Sequence, residues 1–286
     1  MVVSRFLSRA IVVIYLVLYS FLAVSCSSSD QLSEPIQPRE IPVHPGDAVV
    51  VRVNSGQIDI LGTDENVVGV EGELADPGRT EVSIENDDGH IQINAETEQS
   101  LYSESEEVLN LEIQVPQGIS MTVVTMNASV NIHGISGTIT VDSIAGDILA
   151  EDLSGVISLR SGRGDVRVVD SSGEVRVLGE HGLLSLENLH GTVGSSTIMG
   201  TIQYNGRVVT GDDIRMEVDH GPVEIQLASN SDAVLNVTST SGGVRCPPGF
   251  ESTARTCQGE LGRGEGQITV RTVSGQVTVR FLNSDN

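Results

Sequence analysis

Tryptophan and lysine are both absent from the 286 residues, and phenylalanine and tyrosine contribute only four each. Without lysine there is no Schiff-base chemistry, no P-loop phosphate lysine and no lysine amide cross-link. All sixteen basic residues are therefore arginine. Few aromatics also speak against a long glycan groove, where sugar rings stack on aromatic platforms. G-x-S-x-G, H-E-x-x-H and G-x-x-x-x-G-K are all missing. No catalytic residue, metal or cofactor is nominated.

Positive charge is scarce as well. Thirty-nine acidic residues face sixteen arginines, a net charge of −23, so nucleic acid and anionic lipid are poor partners. The six histidines stand beside glycine or proline turns, as exposed rings do. Long apolar runs are lacking except at the start, where Arg5 and Arg9 precede an uncharged run from Ala10 to Val24. That run falls short of the roughly twenty residues a spanning helix needs, and it reads as a secretory signal over residues 1–25.

Cysteine occurs three times, at Cys26, Cys246 and Cys257. "LAVSC" resembles the lipobox of bacterial lipoproteins, with Ala23 where leucine is usual. The resemblance implies cleavage before Cys26 and a lipid on its sulfur. Removing the signal leaves fourteen arginines against thirty-nine acids, a net of −25. Residues 26–46, rich in Ser, Pro and charge, read as a disordered tether. Cys246 and Cys257 are an even pair in an exported chain, which predicts a disulfide.

What the sequence has in abundance is glycine, 31 residues. Eight stand nine residues apart: Gly137, Gly146, Gly155, Gly164, Gly173, Gly182, Gly191 and Gly200. Two and four residues after each come Ile139/Val141, Ile148/Ala150, Ile157/Leu159, Val166/Val168, Val175/Val177, Leu184/Leu186, Val193/Ser195 and Ile202/Tyr204. The intervening positions are mostly polar, with Leu149, Val156 and Leu183 as large apolar exceptions. Alternation is the period of a strand with one buried face, and glycine with Asp, Asn and Ser marks the turns.

An invariant step means that every unit meets its neighbours in one register, the property of a solenoid. Two units are needed to enclose a core. The expected fold is all-β: a right-handed parallel β-solenoid with nine-residue half-coils, since crossovers between parallel strands are right-handed. The glycine phrase recurs off the grid at Gly56, Gly89, Gly221, Gly266 and Gly275, which extends one architecture over residues 47–284. Open ends of such a stack must be capped or paired.

Nonapeptide repeats raise calcium, but the paired glycine of the calcium-binding β-roll is missing and only Asp147 and Asp165 follow the periodic glycine. The acidic turns Asn86 to Gly89 and Gly211 to Asp213 read as exposed turns. "RGD", Arg163 to Asp165, has a repeat role in each residue, and no integrin site is read from it.

The phrases "SGTITVDSIAGDILAEDLSGVISLRSGRGDVRVVDSSGEVRV" and "STSGGVRC" resemble a bacterial family called "putative adhesins", a domain of unknown function, over about residues 47 to 284. The resemblance implies an extracytoplasmic β-solenoid in the cell envelope, with no catalytic residues to carry over. Together these readings give a non-catalytic, lipid-anchored envelope module binding a surface protein or glycan. The alternatives are a regulatory component that binds a membrane protein of its own cell, and a β-helix polysaccharide lyase or hydrolase.

Overall fold

Hydrophobic side chains at every second position can be hidden only if the strands carrying them stack face to face. The computed structural model, which describes residues 34–74, 78–98 and 109–282, shows how. Every regular element among these residues is a β-strand. The signal segment 1–25 and Cys26 lie outside the described residues.

Residue n pairs in parallel with residue n+18 through the periodic region: Gly137 with Gly155, Gly155 with Gly173, Gly173 with Gly191, and Gly182 with Gly200. Residues 136–206 thus build four successive rungs: Ser136–Ala145 with Ile148–Glu151, Ser154–Arg163 with Val166–Val169, Ser172–Glu187, and His190–Gly206. Each rung contributes one strand segment to a first column and one to a second. The sixteen positions read as core are all buried, with Val166, Val175 and Leu184 at 0%, 1% and 0% exposure and Ser195, the one polar member, at 4%. The fifteen apolar ones join one hydrophobic cluster running the length of the stack. Hiding each such aliphatic side chain contributes about 1.5–3 kcal/mol.

Glycine recurs because each rung presses its corner against the one before. Gly173 adopts φ +114°, and a Cβ there would run into the carbonyl of Gly155. Side chains are excluded twice, by conformation and by space.

The two halves of a rung turn differently. At the end of the second column the chain passes through the left-handed region at Asp152, Asp170 and Asn188, which Asp and Asn tolerate. Asn188 donates from Nδ2 to Asp170 Oδ1 at 3.0 Å. At the end of the first column lies a buried row of small polar residues in register, Thr125, Ser143, Ser161, Gly179 and Thr197. Thr125 Oγ1 accepts from Ala128 N at 2.9 Å, and Ser143 Oγ donates to the Ala145 carbonyl at 3.1 Å.

After Gly200 the step widens from eighteen to twenty-one, with Val193 beside Ile214 and Ile202 beside Val223. Asp212 then stands where the next glycine would. Its buried carboxylate accepts from Gly191 N at 2.8 Å and Val209 N at 2.9 Å, and meets His190 Nδ1 at 3.2 Å. Burial, and secondarily this carboxylate, push the Tyr204 hydroxyl well above the ordinary phenol range.

Toward both ends, spatial order departs from chain order. Asp213–His220 and Val223–Leu227 are followed in space by Gly266–Ser274 and Val277–Phe281, and only then by Ala233–Ser239 and Val244–Arg245. Likewise Ala48–Thr63 lies between Ser120–His133 on one side and His90–Thr97 with Leu109–Pro116 on the other. The described residues form ten rungs, numbered here in space from the pair His90–Thr97 and Leu109–Pro116 as rung 1, through Ala48–Thr63 as rung 2, to the pair ending at Arg245 as rung 10. At about 4.8 Å per step the stack is some 45 Å long. The parallel eighteen-residue register expected from sequence is present in the middle, and the expected order of the coils is corrected at both ends.

Antiparallel strands close those ends. Thr80–Asp87 covers the first column of rung 1, turning through Asp88 and Gly89 at φ 47° and 83°, a two-residue hairpin of the type that requires positive φ at both positions. Val67–Leu74 covers the second column, and Glu34–Pro42 pairs beyond it. Residues 34–42, expected as tether, are therefore an edge strand: backbone pairing overrides a composition that looked disordered. Its Pro35, Pro38 and Pro42 lack the N–H groups through which another chain could extend the sheet.

Rung 10 is covered by Thr256–Leu261. Cys246 and Cys257 form a disulfide here, Cα to Cα 5.7 Å, and Phe250 packs on Phe281 with ring centroids 6.1 Å apart. The turn into rung 9 is held by Asp232, whose carboxylate accepts from the backbone N–H groups of Arg263 and Glu265, each at 3.0 Å, and from Arg263 Nε at 3.3 Å. The Glu265 bond foremost, then those of Arg263, hold the carboxyl below its ordinary range. A depressed pKa means that the ionised form supports the fold: this support is full above the ordinary aspartate pKa of about 3.9 and disappears as pH falls through the lowered value. Amide exchange at Arg263 and Glu265, corrected for its intrinsic pH dependence, should stay slow to about pH 4 and accelerate below it. In Asp232→Asn it should be faster at neutral pH, and equal rates in both proteins would refute the assignment.

Candidate binding face

Strand alternation sends every residue between two core positions outward, so each column presents a flat, ribbed surface. On the second column, rungs 1 to 4 place Glu112, Asp59, Asn131 and Leu149 in one row and Gln114, Leu61, His133 and Glu151 in the next. These side chains border a groove of ≈ 260 Å³. Leu61 is 44% exposed and Leu149 half-buried, giving an apolar floor within an acidic rim. Asp59 is held in place: Asn131 Nδ2 donates to its Oδ1 at 2.6 Å and Gln57 Nε2 to its Oδ2 at 2.7 Å.

The second surface feature is the ridge where the first column bends into the second. Met126, Ile144, Ile198, Met199 and Val273 are exposed along it. Gly162, Glu180 and Asp219 interrupt the row, so the apolar groups form two pairs, Met126 with Ile144 and Ile198 with Met199, and a lone Val273 rather than one patch. A polar notch opens where Gly162 leaves space beside Ile144, Arg160 and Glu180. Arg160 and Glu180 are an exposed ion pair at 3.3 Å, worth at most about 1 kcal/mol.

Of the residues singled out from sequence, Cys246 and Cys257 come together in the end cap, and the eight glycines line the two corners. The acids beside the glycines have structural duties: Asp147 Oδ1 accepts from Asp165 N and Asp165 Oδ1 from Leu183 N, each at 2.8 Å. The "RGD" aspartate thus clamps one rung to the next. Of the two acidic turns considered for calcium, one is the hairpin at Asp88 and Gly89, and the other, expected as an exposed turn, is corrected: Asp212 is buried with its carboxylate on backbone N–H groups. Among the described residues no group of three or more His, Cys, Asp or Glu could hold a metal ion.

The groove itself escaped sequence reading. Leu149 was the available signal, a large apolar residue at an outward position, but its neighbours Leu61 and His133 sit on rungs brought together from distant parts of the chain.

The model of the Toastrack DUF4097 family matches residues 47–280. No curated protein sequence matches the chain. Among solved structures it resembles a "putative cell adhesion protein" from Clostridium sporogenes ATCC 15579, with 13% identity over 87% of this chain and 100% of that one and a TM-score of 0.31. A "putative adhesin" from Bacteroides fragilis NCTC 9343 shows 12% identity over 86% and 97%, TM-score 0.43. A "putative lipid binding protein" from Parabacteroides distasonis ATCC 8503 shows 11% over 86% and 97%, TM-score 0.37.

Proposed function

Because the chain belongs to the Toastrack DUF4097 family, we propose that it is a non-catalytic binding module of the bacterial cell envelope, carried to a membrane by a signal over residues 1–25 and a lipid on Cys26. The folded part, residues 47–284 in this reading with the strand Glu34–Pro42 added to it, winds as a right-handed solenoid of nine-residue half-coils. The handedness rests on the general preference of parallel crossovers. Seven residues separate Cys26 from Glu34.

The observation that carries the reading is the groove over Leu61 and Leu149: an open apolar floor with fixed polar neighbours, set on strands locked by pairing on both sides. Binding surfaces of this kind take orientation from a few placed polar groups and affinity from the apolar floor.

Two measurements test it. A palmitate analogue should label the full chain in cells and fail to label Cys26→Ser; equal labelling would remove the anchor from the proposal. Purified full-length protein incubated with envelope glycans should release nothing, whereas defined products would make it an enzyme. Proximity labelling from the anchored protein separates the two non-catalytic readings. Neighbours confined to one signalling membrane protein would favour regulation over surface binding.

A further inference from the structure

The charge around the groove is one-sided. On rungs 1 to 4 of the second column the outward positions carry Glu112, Asp59, Asp147 and Glu151, and the covering strand Val67–Leu74 adds Glu71 and Glu73. No arginine stands among them. The nearest on this column, Arg167 of rung 5, is already paired with Glu187 at 3.1 Å. Arg39 of the edge strand donates to the Ile84 carbonyl.

Resting on the reading of this groove as the binding face, we propose that its occupant is an extended basic peptide segment of a partner protein, in which arginine or lysine stands two residues to either side of an aliphatic residue and so on the same face as it. An extended strand repeats its side chains on one face about every 7 Å. An aliphatic group over Leu61 and Leu149 therefore leaves same-face cations two residues before and after it within reach of Glu112 and Glu151, three rungs and one row apart, about 16 Å. Asp59, fixed by two amide donors, keeps lone pairs free for a guanidinium. Several other ligand classes fit poorly. Anionic lipid and nucleic acid meet like charge here. Glycans lack aromatic platforms. Metal ions lack a ligand cluster among the described residues.

The test uses full-length protein in detergent and a fluorescent arginine–leucine peptide that repeats Arg-Ser-Leu-Ser, so that arginine and leucine share one face, with arginine–serine (Arg-Ser-Ser-Ser) and glutamate–leucine (Glu-Ser-Leu-Ser) peptides beside it. The arginine–leucine peptide should bind at least tenfold more tightly than either. Leu61→Ser and the double variant Glu112→Gln/Glu151→Gln should each weaken it about tenfold, and the double variant should also flatten the salt dependence. Leu178→Ser on the opposite column should change nothing. All these positions are at the surface, so melting curves should move little and report intact folding.

Equal binding of the arginine–serine peptide would overturn the proposal, as would unaltered binding by either groove variant. Leu61-dependent binding to phosphatidylglycerol vesicles in place of peptide would do the same. A photo-cross-linker at position 61 in cells keeps the two levels apart. Capture of a partner through an acidic or neutral segment sinks the basic-peptide assignment and leaves the module standing; capture only from linkers elsewhere on the surface sinks the groove as the binding face.

Discussion

Alanine at Gly173 is expected to lower the melting temperature by about 5–15 °C, while alanine at Gly194 leaves it unchanged or raises it slightly. The first side chain would have to hold φ +114° and occupy the space of the Gly155 carbonyl. Strain at positive φ alone costs about 1–3 kcal/mol, and backbone must move as well. At about 2–4 °C per kcal/mol for a domain of this size, the shift is easily resolved by circular dichroism or calorimetry. A Cβ at Gly194 would meet nothing within 4 Å, and the backbone there does not take a positive φ. At that position alanine only restricts the unfolded chain, worth about 0.4–1 kcal/mol in favour of folding. The two glycines are three rows apart on adjacent rungs, so equal shifts at both would refute the view that rung corners, rather than glycine content, hold the register.

A chain stopped after Leu261 should lose far more than its last twenty-five residues. Rung 9, Gly266–Ser274 and Val277–Phe281, is what joins rung 8 to rung 10. Without it, Ala233–Ser239 keeps only its antiparallel partner Thr256–Leu261, and a lone hairpin is marginal in water. Hydrogen exchange of residues 233–261 should rise toward unprotected rates while residues 136–206 stay protected. The bared edge of Asp213–His220 should also promote association. Retained protection across 233–261 would show that rung 10 can dock directly on rung 8, which would remove the bridging role assigned to rung 9.

How far the sequence is legible varies along the chain, for physical reasons. Between Gly137 and Tyr204 the neighbours of a residue lie eighteen positions away, so a local pattern reports a tertiary contact, and every core position follows. Off the grid the same glycine phrase still marks each corner, but it does not say which corner stacks on which. The corner series runs from Gly200 to Gly221, then to Gly275, and back to Gly242, an order no periodicity encodes. The edge strand Glu34–Pro42 was hidden for the opposite reason. Its prolines and charges look like linker, and they look so because they face the end of the sheet. The groove depends on rungs 1 and 2, whose adjacency is a long-range choice, and so only Leu149 pointed to it.

The placement of rungs 2 and 9 has a mechanical consequence. In a simple coil the outermost turn can be stripped by tension one hydrogen bond at a time along a single seam. Here a pull on the C-terminus must draw the final turn out from between two others, rupturing two seams in shear together, and the turn after Pro42 is gripped in the same manner. The C-terminal extremity is fastened like a belt whose free end is tucked beneath the loop before it, so load there is shared before anything opens, whereas load at the other extremity first frees the edge strand Glu34–Pro42 from its single seam and only then meets the gripped turn.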